Sequence, residues 1–158
     1  MSKTINQRIN VSLEDDFVVF LIGIRINHLW KSQNWIPAAL AMPTMINELS
    51  YILESGFLGY QLIGAFPPVI VQYWKSLEQY EAYTKNRDES HYPVLNDFIQ
   101  KMRKNSDVAV WHETYKVKDG KFESIFNNIS AYGHGKVSKL VPASTFKENA
   151  GLRFALNY

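Results

Sequence analysis

Residues 17–26, FVVFLIGIRI, carry apolar side chains at both sets of alternating positions, the pattern of a strand covered on two faces, and they predict the first strand of a sheet. From Pro37 to Glu54 the period changes. Leu40, Met42, Met45, Ile46, Leu49, Ile52 and Leu53 fall at helical spacing, and Gly56 stands where a helix would stop. Pro43 implies an irregular first turn or a helix that begins near it. The stretch 59–74, GYQLIGAFPPVIVQYW, divides at Phe66-Pro67-Pro68 into two strands of a hairpin, because consecutive prolines supply no ladder donors and favour a turn. Ser76 followed by Gln79 forms a capping box, so a helix opens there with Leu77, Tyr80 and Tyr83 facing inward. After a polar break, KNRDESHYP, a second helical piece runs from about Pro93 to Lys104 and points Leu95, Phe98, Ile99 and Met102 at the core.

VAVWHETYKV, residues 108–117, reads as a fourth strand buried on both faces, with Asp119-Gly120 as a turn and KFESIFNNI as a fifth strand. The order β-α-β-β-α-β is that of an α+β, ferredoxin-like split βαβ fold, an antiparallel sheet with helices on one face. We read residues 1–158 as a single domain, with 130–158 as a C-terminal extension that wraps a partner or covers a pocket mouth. Helices cover one face only, yet the first and fourth strands are apolar on both. A second copy of the chain is the simplest cover, so a homodimer with an isologous apolar interface is expected.

Composition narrows the function. The chain has 158 residues, 14% of them aromatic, and aromatic side chains often line small-molecule pockets. The formal net charge is +2 with scattered basic residues, which gives no stripe for nucleic acid. There is no cysteine, so disulfides, thiolate metal sites and thiol catalysis are excluded. The N-terminal stretch is polar, without the apolar core of a signal peptide, and the run 17–24 is too short to span a bilayer. A cytoplasmic protein with no membrane partner is expected.

His112 and Glu113 are the polar residues that do not belong in a buried strand. Strand alternation puts them on opposite faces, one toward the helices and one toward the partner copy. Arg25 is the candidate counter-ion for Glu113, a pairing that would fix register or interface. For His112 two readings stay open, a satisfied core imidazole and a pocket imidazole serving as base or hydrogen-bond anchor. His91 sits at the break between two helical pieces, either as a surface cap or turned toward the pocket. His28 and His134 read as exposed loop residues. No histidine spacing suits a metal site, and there is no GxGxxG, P-loop or GxSxG motif. Trp30, Trp35, Trp74 and Trp111 flank these positions, mostly as core, and with the imidazoles they suit an apolar planar ligand.

The segments FVVFLIGIRINHLWK, IPAALAMPTMINEL, VQYWKSLEQYEAYTKNRDESHYPVLNDF, VWHETYKV and FNNISAYGHGKVSKLVPA together resemble an uncharacterised monooxygenase-like family of bacteria and fungi. It sits within the dimeric α+β barrel superfamily of antibiotic-biosynthesis monooxygenases. The likeness runs from about Phe17 to Ala143, and WHETY and YWKS are its most specific parts. It implies a dimeric α+β barrel and a pocket between sheet and helices for a hydrophobic polycyclic substrate or haem. Some relatives oxygenate phenols without a prosthetic group, the substrate itself activating oxygen. Others bind haem through a helix histidine, whose counterpart here is His91, while the accompanying helix tryptophan of the haem degraders corresponds most closely to Tyr83, a departure from their pattern.

The leading expectation is therefore a monooxygenase acting on a small hydrophobic aromatic, polyketide-like or terpenoid-like molecule, with no cofactor required. His112 or His91 serves as base or anchor and Arg25 stabilises developing negative charge. Trp74, Tyr83, Trp111 and Glu113 bind the substrate. The alternatives are a haem-binding protein with His91 as axial ligand and a non-catalytic small-molecule-binding protein.

Overall fold

In the computed structural model, residues 8–12, 15–51, 55–64, 66–86, 100 and 106–142 are described. The elements are β1 (Arg8–Ser12), β2 (Phe17–Ile26), α1 (Ser32–Leu49), β3 (Phe57–Ile63), β4 (Val69–Trp74), α2 (Leu77–Lys85), β5 (Val108–Val117), β6 (Ile125–Asn127), a 3₁₀ turn at Gly133–Lys136 and β7 (Lys139–Pro142). A four-stranded antiparallel sheet has the order β3-β4-β2-β5, which is the ferredoxin-like order expected from the sequence. The Pro67-Pro68 turn closes the β3–β4 hairpin as anticipated. The piece expected over 93–104 falls almost wholly outside the described residues.

Period-two alternation divides β2 between the two faces. Val18, Phe20 and Ile24 join Ile70 and Trp74 of β4, Val108 of β5, and Ile46 and Leu49 of α1 in the main core. α2 completes that face. Ser76 caps it, its hydroxyl accepting from the Gln79 backbone N–H at 3.2 Å, and Leu77, Tyr80 and Tyr83 pack inward.

α1 begins at Ser32, five residues ahead of Pro37, and so contains both Pro37 and Pro43. Proline disfavours a helix interior, and tertiary anchors offset that here. The Asn34 side-chain amide donates to the Asp107 carboxylate at 2.7 Å, and the Trp35 indole N–H donates to the Leu29 carbonyl at 2.9 Å. Both bonds fix the first turn through residues that periodicity cannot see.

A second sheet was unforeseen. β1 pairs with β6 on one side and with β7 on the other, both antiparallel. Ile9 and Val11 are buried, so RINVS is a half-buried strand where the sequence reading saw only a polar terminus. This sheet brings the segment 122–137 onto one end of the face away from the helices. Phe122 and Val137 pack there on Phe17, Val71 and Tyr73. Part of the cover assigned to a second copy thus comes from the chain itself.

Candidate functional site

β5 is an edge strand, which answers why it carries His112 and Glu113. Among the described residues it pairs with β2 alone, and residues 111–116 are exposed in the single chain. His112, Thr114 and Lys116 stay exposed on the side of the helices, so the reading of this strand as buried is corrected for that face. An apolar composition on both faces does not distinguish a central strand from an edge strand.

Register fixes the two sides. His112 stands opposite Ile22 and Thr114 opposite Phe20, which places both on the helix-covered face. The His112 ring centroid lies 5.7 Å from that of Phe20, and Phe20 in turn lies 4.7 Å from Tyr80 of α2. Burial pushes the Tyr80 phenol up to about 12, with Glu81 adding to it, so Tyr80 is a neutral aromatic wall. Lys116, two residues beyond Thr114, reaches Glu78 of α2 at 4.0 Å. α2 therefore overhangs the same side of β5, yet His112 and Thr114 stay exposed. The result is an open imidazole at the edge of an aromatic wall.

Arg25, Trp111 and Glu113 lie on the opposite face, where Arg25 pairs with Ala109, Gly23 with Trp111 and Leu21 with Glu113. Arg25 and Glu113 share a face but stand four residues apart along the ladder, about 13 Å. No ion pair joins them, and the expected counter-ion role of Arg25 is corrected. Glu113 instead accepts a hydrogen bond from the Tyr115 hydroxyl, which raises the Tyr115 phenol above its ordinary value. Arg25 cannot share a substrate with His112 through the thickness of the sheet.

The expected binding residues separate in the same way. Trp74 is 0% exposed, enclosed by Phe57, Tyr80 and Tyr83, with its indole N–H donating to Gln72 at 3.0 Å. It presents nothing to a ligand, and its assignment to substrate binding gives way to a core role. Tyr83 is half-buried against it and clamps α2 to the sheet. His91, on which the haem reading rests, lies outside the described residues.

Two other histidines are not the exposed loop residues expected. The His28 Nδ1 lies 2.7 Å from the buried Asp107 carboxylate, which also accepts from Lys31 at 2.8 Å and from Asn34. Lys31 foremost, then Asn34 and His28, hold that carboxyl below its usual range against the opposing effect of desolvation. This cluster fastens the β2–α1 loop to the start of β5. His134 is buried, stacked on Phe17 at 4.5 Å and on Tyr73 at 5.3 Å. Burial pushes its imidazole down to about 4. No local pattern in the sequence announces either contact, since the partners are far apart along the chain. Among the described residues no group of three His, Asp or Glu side chains could hold a metal ion, and no helix is long and apolar enough to cross a membrane.

A family model described as monooxygenase af470-like matches residues 17–134. No curated protein matches the chain. Among solved structures, an aldoxime dehydratase superposes with a TM-score of 0.64 at 14% identity over 96% of this chain. The chain spans 44% of that protein, and the likeness is one of fold. A protein of unknown function from Bacteroides thetaiotaomicron VPI-5482, described as a possible oxidoreductase, covers 66% of this chain and is itself covered in full, at 15% identity and a TM-score of 0.43. SnoaB from Streptomyces nogalater, described as a cofactor-independent oxygenase, matches 65% of this chain and 94% of its own at 12% identity and a TM-score of 0.42.

Proposed function

The chain belongs to the monooxygenase af470-like family, and from that premise we propose that it oxygenates a small hydrophobic aromatic, polyketide-like or terpenoid-like molecule held on the helix-covered face beside His112. One observation carries the choice of face. His112 is an exposed base at the rim of the Phe20–Tyr80 wall, where an aromatic substrate finds both apolar surface and a proton acceptor.

His112 takes the proton of a substrate hydroxyl. The resulting phenolate is electron-rich enough to reduce molecular oxygen directly, which is why the reading needs no prosthetic group. At the reacting ring carbon two C–H bonds break and a quinone carbonyl forms with one oxygen atom, while the other oxygen leaves as water with those two hydrogens, so the substrate supplies all four electrons. Tyr80, neutral at working pH, orients the ring without competing for the proton. A second copy of the chain meets the exposed Glu113 and Tyr115 of β5 on the far face, giving a homodimer.

Oxygen uptake with a dihydroxyanthrone as probe tests the assignment. His112→Ala lowers the rate at saturating probe about a hundredfold or more, the range of a lost general base, while probe affinity changes little. Equal rates in the two proteins would sink the role of His112. Saturable probe binding with no oxygen uptake would make the protein a carrier instead, and light scattering reads the dimer.

A further inference from the structure

Arg25 of β2 and Glu113 of β5 carry opposite charges on the face away from the helices, and both are exposed in the single chain. Among the described residues Arg25 makes no ion pair or hydrogen bond, and Glu113 accepts only from the Tyr115 hydroxyl. The two charges do not reach each other within the chain, because about 13 Å of ladder separates them. A charge left unpaired under a covering copy would carry a large desolvation cost, so the homodimer, on which this inference rests, has to supply each with a partner.

A two-fold axis between the packed sheets can do so. The segment 122–137 already covers the Phe17 and Tyr73 end of the face, which leaves the stretch from Leu21 to Arg25 for the second copy. The middle of that stretch is the Gly23–Trp111 pair. Arg25 stands two residues from it on one side, and Glu113, opposite Leu21, stands two residues from it on the other. An axis crossing the strands at Gly23 and Trp111 therefore lays the partner's Glu113 over Arg25, and by the same rotation Arg25 of the partner subunit over Glu113. Packed sheets lie about 10 Å apart, a gap that an arginine and a glutamate side chain span together.

The relief of the face suits this placement. A Cβ at Gly23 would come within 2.8 Å of the Trp111 indole, so the missing carbon lets the ring lie low over β2, where the axis passes. Beyond it an open cavity of ≈ 780 Å³ has Arg25, Ala109 and Trp111 as its floor and Leu29, Phe66 and Pro67 among its walls. Arg25 is the one charged residue of that lining. Trp35 holds the walls, donating to the Leu29 carbonyl at 2.9 Å and packing on Phe66 at 4.8 Å between ring centroids. An apolar hollow with one guanidinium is complementary to a carboxylate beside an aromatic ring, and the hydrogen-bonded Glu113 and Tyr115 are such a unit. We propose that two copies dock by reciprocal charge pairs, Arg25 of each subunit on the partner's Glu113, with the partner's Tyr115 seated between Leu29, Phe66 and Pro67.

Light scattering on the full chain over a concentration series tests the pairing by charge reversal. Arg25→Glu and Glu113→Arg, both at exposed positions, each put two like-charged pairs into their own dimer, which dissociates at least about a hundredfold more readily than that of the unaltered chain. Circular dichroism confirms that each variant folds. Mixing the two variants restores opposite charges at both pairs, so the dimer returns at a total concentration where either variant alone is monomeric. Variants that dimerise as the unaltered chain does, or a mixture that stays monomeric, overturn the pairing while the homodimer itself stands. An unaltered chain that is monomeric throughout overturns both.

Discussion

His134→Phe isolates the effect of one buried imidazole on stability. In the folded chain His134 is stacked on Phe17 and Tyr73 with Phe122 at its edge, and its Nε2 has no hydrogen-bond partner among the described residues. Burial lowers its pKa from 6.5 to about 4. The unfolded chain therefore takes up a proton near pH 6.5, while the folded chain resists until about pH 4. The stabilisation is fully present above pH 6.5 and is lost as the pH falls toward 4. At about 1.4 kcal/mol per pH unit between the two pKa values, the loss reaches at most about 3 kcal/mol. Phenylalanine keeps the stack and cannot be protonated. It also removes a buried unpaired nitrogen, whose desolvation costs about 1–3 kcal/mol, so the variant is at least as stable as the parent at neutral pH. Urea unfolding at a series of pH values between 7.5 and 4 reads both effects. The parent midpoint falls more steeply with acid than that of the variant, with equal m-values. Parallel curves over that range would refute the burial argument.

Trp74→Ala, which empties the middle of the main core, costs about 3–5 kcal/mol in urea unfolding, a loss that places this residue in the fold and not in the site. Ser76→Ala removes the cap of α2 and costs about 1 kcal/mol, seen as an earlier midpoint with an unchanged m-value. Haemin titration followed by absorbance gives no saturable Soret band that His112→Ala removes. Such a band would make His112 an axial ligand and displace its role as base.

The elements that could be read in the sequence are those whose signal is local. β2 and the β3–β4 hairpin follow from β-branched runs and a proline pair, and the start of α2 follows from Ser76 and Gln79 three residues apart. What escaped depends on partners distant in the chain. β1 is five residues long and has meaning only beside β6 and β7, more than a hundred residues away. α1 starts at Ser32 because Asp107 and Leu29 receive its first turn. His134 sits in a glycine-rich stretch that reads as a loop, and only the second sheet carries it onto Phe17. The family likeness was legible in WHETY and YWKS, but the sides of β5 were not. Alternation says that His112 and Glu113 face apart without saying which meets the helices.

The register of β5 on β2 supplies that missing sign, and it also separates His112 from Arg25, which the sequence had grouped in one catalytic set. A double-mutant cycle on kcat/KM for the dihydroxyanthrone probe tests the separation directly. If Arg25 lies out of reach of a substrate beside His112, Arg25→Gln changes kcat/KM by the same factor whether residue 112 is histidine or alanine. The coupling then stays within about 0.5 kcal/mol, as for side chains with no shared partner. If one ligand touched both, removing either group would change what the other contributes, and the coupling would exceed about 1 kcal/mol. That larger value would mean that the two side chains reach a common ligand around the free edge of β5. It would overturn the assignment of the substrate to the helix-covered face alone, because an edge strand, unlike a central one, leaves such a path open.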